Sequence, residues 1–337
     1  MSIKATLLNG PLGFGTAPLG NMFRNIPEEE ASATVAAAWA AGVRYFDTAP
    51  FYGAGLAEIR LGKELSKHPR DEYVLSTKVG RIILDEVVSG PQEFGDKGTL
   101  FEFGRKNKVK YDYGYDGTLR SIEDSLKRMD VSRIDFVWIH DIAQDFHGDG
   151  WLGQFEIART GAMPALTRLR NEGVIKGWGL GVNKVEPIEL TLGLQEAQPD
   201  GMLLAGRYTL LDHSLALQRL MPAAEAKGVQ IVVGGPYSSG VLAGGRHFEY
   251  AEASAEILAK VDKIKALAEK YNVPIKAIAL QFCLAHPAVV SVIPGASKPE
   301  RIKEDVQALD AKVPDDLWKE LRQDGLVERN APLPIDR

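Results

Sequence analysis

Cysteine is nearly missing from this sequence: Cys283 stands alone among 337 residues, so no intrachain disulfide can form. That scarcity fits a reducing compartment and predicts a cytoplasmic chain. Cys283 lies in the apolar run 277–284, which predicts a buried structural thiol rather than a nucleophile. Long hydrophobic runs are lacking as well. The apolar stretch within residues 1–10 is too short for a secretory signal, and no segment has the length of a membrane-spanning helix, so a membrane partner is not expected. Nor is there an excess of positive charge. Forty Lys and Arg against 45 Asp and Glu leave a net charge of −5, which predicts no nucleic-acid partner.

Two missing patterns narrow the chemistry further. His68, His140, His147, His213, His247 and His286 show no His-x-x-x-His spacing, so no metal is expected and a metal hydrolase is disfavoured. No Gly-x-Gly-x-x-Gly stretch falls between a strand-like run and a helix-like run, which argues against a Rossmann domain.

What is present is a regular alternation. Strand-like runs at 12–16, 45–48, 73–78, 135–140, 177–182, 202–207, 230–234 and 289–294 are interleaved with helical periodicity at 27–41, 55–67, 115–129, 161–173, 185–196, 214–227, 254–271 and 299–309. Eight strands, each followed by a helix, predict α/β architecture closed into a (β/α)₈ TIM barrel, one domain over 1–337. Residues 81–113 lack a helical period and read as a long loop after the third strand, with Arg105, Lys106, Lys108 and Lys110 as a solvated face. A second irregular stretch is expected at 143–155. Residues 314–337 read as a helix over 315–323 followed by a tail.

In a parallel barrel the C-terminal strand ends surround the active-site mouth. Asp47, Lys78 and His140 end three successive strand runs, and Tyr52 follows Asp47 in the next loop. Charges at the ends of apolar strands must pair, so Asp47 and Lys78 are expected to form an ion pair. A cation beside a phenol lowers its pKa, and His140 can hold a substrate oxygen, so the set can act as a metal-free general acid/base. Taken singly, each has an ordinary structural explanation; their coincidence on adjacent strand ends favours chemistry. Phe51, Trp151 and Tyr237 are candidates for lining the substrate pocket.

At these residues the sequence resembles the aldo-keto reductase superfamily. The resemblance rests on Tyr45-Phe46-Asp47-Thr48-Ala49-Pro50-Phe51-Tyr52-Gly53 with Glu58, Leu61 and Gly62, on Ser76-Thr77-Lys78, and on Ile139-His140. It implies a catalytic set of Asp47, Tyr52, Lys78 and His140, with NAD or NADP extended across the barrel mouth. It further implies that Asn183 holds the nicotinamide carboxamide, that the loop with Pro236, Tyr237, Ser238, Gly240 and Leu242 contacts the cofactor, and that Gly295, Ser297, Arg301 and Asp305 form its adenosine phosphate end. Gly234 stands where an aromatic stacker is common, and Gly295 where NADP-preferring members often carry lysine.

The segment 105–113 and the Gly-Pro-Tyr-Ser-Ser-Gly loop are similar to the bacterial branch of aldose 1-dehydrogenases and pyridoxal 4-dehydrogenases. This implies oxidation of a cyclic hemiacetal, an aldose such as L-fucose or pyridoxal, to its lactone, with Tyr52 as general base. The alternatives are an NADPH-dependent aldehyde or ketone reductase and a non-catalytic subunit that senses nicotinamide. The expected partner is a small-molecule substrate, and a homo-oligomer is left open.

Overall fold

The computed structural model describes residues 2–90, 92, 94 and 99–336. In chain order its strands are β1 (Phe14–Gly15), β2 (Tyr45–Asp47), β3 (Val74–Val87), β4 (Asn107–Asp112), β5 (Phe136–His140), β6 (Gly177–Val182), β7 (Gly201–Ala205), β8 (Gln230–Gly234), β9 (His247–Phe248), β10 (Ala251–Glu252) and β11 (Val289–Ile293). Eight of these lie side by side in the order β1-β2-β3-β5-β6-β7-β8-β11 and run parallel. The circle closes where the Gly13 N–H donates to the Val292 carbonyl at 2.9 Å and the Gly15 N–H to the Pro294 carbonyl at 3.0 Å.

The two-residue alternation of these strands sorts side chains into two cores. Tyr45, Val74, Phe136, Trp138, Leu203, Val232 and Val290 point into the barrel and pack together with Ile3. Phe46, Leu75, Val137, Ile139, Leu204 and Val233 belong to the larger core between the barrel and its helices. Ile3 comes from the short helix α1 (Ile3–Thr6), which covers the end of the barrel away from the strands' C-termini and is tied there by Lys4 N–H to Gln230 Oε1 at 2.9 Å.

The remaining helices are α2 (Glu28–Ala40), α3 (Leu56–Leu65), α4 (Tyr115–Met129), α5 (Gln144–His147), α6 (Trp151–Thr160), α7 (Ala162–Asn171), α8 (Glu186–Gly193), α9 (Ser214–Gln218), α10 (Leu220–Lys227), α11 (Ala255–Lys270), α12 (Ile275–Ala285), α13 (Pro299–Asp310) and α14 (Asp315–Gln323). Gly62 lets α3 meet α4, because a Cβ there would stand 2.4 Å from the Met129 Cα and closer still to its carbonyl oxygen. None of these helices is long and apolar enough to cross a membrane.

Four expectations about elements need correction. Segment 81–113 is not simply a loop: β3 runs on past Lys78 to Val87, and β4 returns antiparallel to it, with Arg81 opposite Tyr111. Half-exposed strands of this kind alternate charged and apolar residues, as in Lys108-Val109-Lys110-Tyr111, and show no helical period. Pro91, Glu93 and residues 95–98 of that segment lie outside the described residues. Stretch 143–155 is largely helical, as α5 and the start of α6, its glycines having masked the pattern. Helix 214–227 is broken at Arg219 into α9 and α10. Helix α12, which contains Cys283, falls outside the expected helices because it is buried nearly all round and so has no amphipathic stripe.

Candidate active site

Strand register delivers the polar groups to one rim. Asp47 of β2 lies opposite Ser76 of β3, Lys78 opposite Trp138 of β5, and His140 opposite Gly181 of β6. Ser76 and Lys78 are two apart and therefore share the inward face with Asp47. The Ser76 hydroxyl donates to Asp47 Oδ1 at 2.6 Å, and Lys78 Nζ donates to Asp47 Oδ2 at 2.5 Å and to the Thr48 carbonyl at 2.9 Å. Both charged side chains are 1% exposed, so the expected ion pair is a buried one. Gly181 makes room for it: a Cβ there would sit 3.0 Å from the Trp138 Cβ and 3.6 Å from the Lys78 Cε.

Tyr52 is placed by backbone rather than by side-chain bonds. Its loop lies so close to Gly20 that a Cβ on Gly20 would stand 2.5 Å from the Tyr52 carbonyl carbon, and its carbonyl accepts the Ala57 N–H of α3. Glu58 of α3 fixes that helix to the barrel, accepting from Thr77 at 2.8 Å and from Arg128 Nε at 2.5 Å. The Tyr52 ring then meets His140 edge to face at 5.8 Å between centroids.

Electrostatically the phenol differs from its expectation. Lys78 Nζ lies over the Tyr52 ring, 4.8 Å from its centroid, and no hydrogen bond among the described residues joins it to the hydroxyl. Burial, with Asp47 and Asp141 adding to it, holds Tyr52 well above the usual phenol range, and Arg81 only partly opposes this. The expected lowering of the Tyr52 pKa is therefore not found: burial dominates, and the Lys78 ammonium is paired with Asp47. His140 is held well below its ordinary value by burial and by Arg81 and Lys78, and so is neutral.

Beside these groups lies a small cavity of about 50 Å³ lined by Phe51, Tyr52, Lys78, His140, Asp141 and Asn183 among others. It adjoins a cleft of about 400 Å³ that runs from Asp47 and Tyr52 past Gly234, Pro236, Tyr237 and Gly240 to Gly295, Ser297, Arg301 and Asp305. At its far end the N-terminus of α13 follows Ser297 and Lys298, a place where backbone N–H groups and the helix dipole favour phosphate. An extended dinucleotide fits this shape and these donors.

The aldo/keto reductase family model matches residues 11–324 of the chain. The chain belongs to the aldo/keto reductase family. It is 39% identical over 327 residues to pyridoxal 4-dehydrogenase of Microbacterium luteolum and 35% identical over 321 residues to D-threo-aldose 1-dehydrogenase of a Pseudomonas species, each alignment covering 94% of both chains. Among solved structures it resembles an aldo-keto reductase from Bacillus halodurans in its holo form, with a TM-score of 0.69, 25% identity, and coverage of 96% of this chain and 93% of that one. As an aldo/keto reductase it is an NAD(P)-dependent oxidoreductase.

In this aldo/keto reductase some expected residues fall elsewhere. Trp151 begins α6 and packs against Phe155, away from the cavity beside His140, because the loop it was assigned to is a helix. Leu242 is fully buried in the core, and Ser238 is buried with its hydroxyl 3.0 Å from that of Thr209, so neither lines the cleft. Asp305 does line the far end of the cleft, and it accepts from the Tyr237 hydroxyl at 2.7 Å and from Lys276 at 2.5 Å. Phe51 does line the cavity, edge to face with His140 at 6.0 Å.

Other residues of the site lie outside the sequence motifs. Gly234 leaves its wall bare, and an aromatic arrives instead from the segment 244–253: Tyr250 lines both cavities and its hydroxyl donates to Asn183 Oδ1 at 3.3 Å. The preceding Glu249 pairs with Arg207, whose Nε donates to the Asn183 carbonyl at 2.9 Å. Arg24, in the loop before α2, donates to the Ser297 carbonyl at 2.9 Å and pairs with Glu30. These contacts join distant stretches, and the signal available in sequence was only the pair of bulky residues at 248 and 250 in an otherwise polar loop.

Proposed function

We propose that this aldo/keto reductase oxidises a cyclic hemiacetal, an aldose such as L-fucose or pyridoxal, to its lactone. The observation that carries the reading is the convergence of Asp47, Tyr52, Lys78 and His140 at the inner end of a dinucleotide-sized cleft. The names of the pyridoxal 4-dehydrogenase and D-threo-aldose 1-dehydrogenase relatives favour the substrate class.

Oxidised nicotinamide, when bound, would supply the hydride acceptor. Tyr52 takes the hydroxyl proton while the C–H bond gives up its electron pair and the lactone carbonyl forms. His140, neutral, orients the reacting oxygen, and Phe51 walls the sugar or pyridine ring. Lys78 and Asp47 hold a net-neutral pair under the Tyr52 ring, so a phenolate forming there meets an ammonium rather than an unpaired carboxylate. Asn183 is assigned to the carboxamide, and Ser297 with Arg301 to the adenosine phosphate end.

The cofactor is NAD or NADP. Of the cations lining the cleft, Arg24 is neutralised by Glu30 and Lys276 by Asp305, which leaves Arg301 without an ion pair among the described residues to meet a 2′-phosphate. No metal takes part, and the chain works on a small molecule in the cytoplasm.

The test is a panel of aldoses and pyridoxal, each assayed with NAD and with NADP by absorbance of the reduced cofactor. Lactone-forming turnover with NAD is expected. Activity confined to NADPH-driven reduction of simple aldehydes would replace the reading with a carbonyl reductase, and cofactor binding without turnover of any substrate would replace it with a sensing role.

A further inference from the structure

The cavity beside His140 contains a charged group that the mechanism above leaves unused. Asp141 follows His140 directly after β5, with a left-handed φ of 53°, which aspartate tolerates better than most residues. Its side chain is 4% exposed. Oδ2 accepts from Arg81 Nη1 at 2.8 Å and lies 3.3 Å from His140 Nε2. Oδ1 accepts no hydrogen bond from any described residue, and Asp141 lines the cavity.

Arg81 is walled in by rings, its guanidinium carbon 4.0 Å from the centroid of Phe51, 4.8 Å from that of Phe146 and 4.9 Å from that of Tyr111. Burying an aspartate and an arginine in such a box carries a desolvation cost that a hydrocarbon wall would not. A purely structural pair would be expected to satisfy both carboxylate oxygens within the protein. Here one oxygen is tied to Arg81, the other accepts nothing from the described residues, and the residue lines the cavity.

We propose that Asp141 recognises the substrate: its unengaged carboxylate oxygen accepts a hydrogen bond from a hydroxyl carried one or two atoms from the reacting carbon. The proposal rests on the hemiacetal reading given above. If His140 orients the reacting oxygen, a hydroxyl carried one or two atoms away falls beside Asp141, because the two side chains approach within 3.3 Å. The C2 hydroxyl of an aldose and the ring hydroxyl next to the carbonyl-bearing carbon of pyridoxal both answer that description. A carboxylate accepts from either and offers nothing to a substrate lacking the group.

Burial pushes Asp141 up to about 6, against Arg81, while Asp145 of α5 adds to the rise and Lys78 opposes it. Tyr52, Tyr111, Tyr113 and Tyr250 also feel this charge, and burial holds each of them above the ordinary phenol range, so they remain neutral. His140 is neutral as well. The acceptor therefore exists above about pH 6 and is lost by protonation below it.

The experiment compares kcat/KM for an aldose and its 2-deoxy analogue, and for pyridoxal and 3-deoxypyridoxal, in the wild-type enzyme, in Asp141→Asn and in the double variant Arg81→Gln/Asp141→Asn. The double variant removes both charges and so leaves no unpaired ion if the single one fails to fold. Wild type is expected to favour the hydroxylated member of its working pair by about 10- to 100-fold. The variants should shrink that ratio several-fold and lose the fall in kcat/KM below about pH 6, changes that a structural role would not produce. Equal rates on both members in wild type, or a ratio that survives in a folded variant, would overturn the proposal. Failure of wild type to oxidise either hydroxylated substrate would instead overturn the hemiacetal reading on which it stands.

Discussion

Tyr52 is the proton-transfer group, with His140 orienting the reacting oxygen and the Lys78–Asp47 pair beneath its ring. Tyr52→Phe removes one oxygen and no packing surface, so kcat should fall by about 10²–10⁴-fold while cofactor affinity, read by fluorescence titration, changes little. Because burial and Asp47 raise the phenol pKa, kcat/KM for oxidation should climb with pH into the alkaline range, and a profile flat above neutrality would contradict Tyr52 as base. At this scale the sequence was most informative where residues sit at strand ends, since the two-residue period and the barrel rule fix where Asp47, Lys78 and His140 point. It was least informative where a residue's partner is far along the chain. Nothing local to Asp141 announces Arg81, 60 positions earlier, as its partner, and nothing at Gly234 announces Tyr250.

Elements were legible according to how one-sided their burial is. Helices with an apolar stripe, such as α4 and α13, matched their expected ranges closely, whereas α12, apolar on most sides, gave no period. The extension of β3 and its partner β4 was hidden because a ribbon beyond the barrel has one wet face and many charges. The contact between α3 and α4 offers a direct test of the packing. Gly62→Val would drive a side chain into the Met129 backbone, and a loss of about 1–3 kcal/mol in denaturant unfolding is expected, as for overpacked cores.

Across the whole molecule, stability should depend on a histidine remote from the chemistry. His213 is 1% exposed; its Nδ1 donates to the Thr209 carbonyl at 2.8 Å, and its Nε2 accepts the Glu328 N–H at 3.0 Å, which pins the C-terminal tail. Burial lowers its pKa to about 4 from an ordinary 6.5. Between those values the unfolded chain binds the proton and the folded one does not, so stability falls as pH drops from 6.5 towards 4, by up to about 3 kcal/mol. Urea unfolding of wild type and His213→Gln across that range checks this, and the variant should lose part of the slope.

One wall of the nucleotide cleft is made by Gly245, His247 and Tyr250, and that segment is fastened to Arg207 through Glu249. A fastening made of charges weakens in brine: the screening distance shrinks from about 10 Å at 0.1 M to 3 Å at 1 M salt. Dinucleotide escape, followed by stopped-flow fluorescence, should therefore quicken as ionic strength rises, and Glu249→Gln should escape fast at every salt concentration. In enzymes where product departure limits the cycle, turnover would quicken with it.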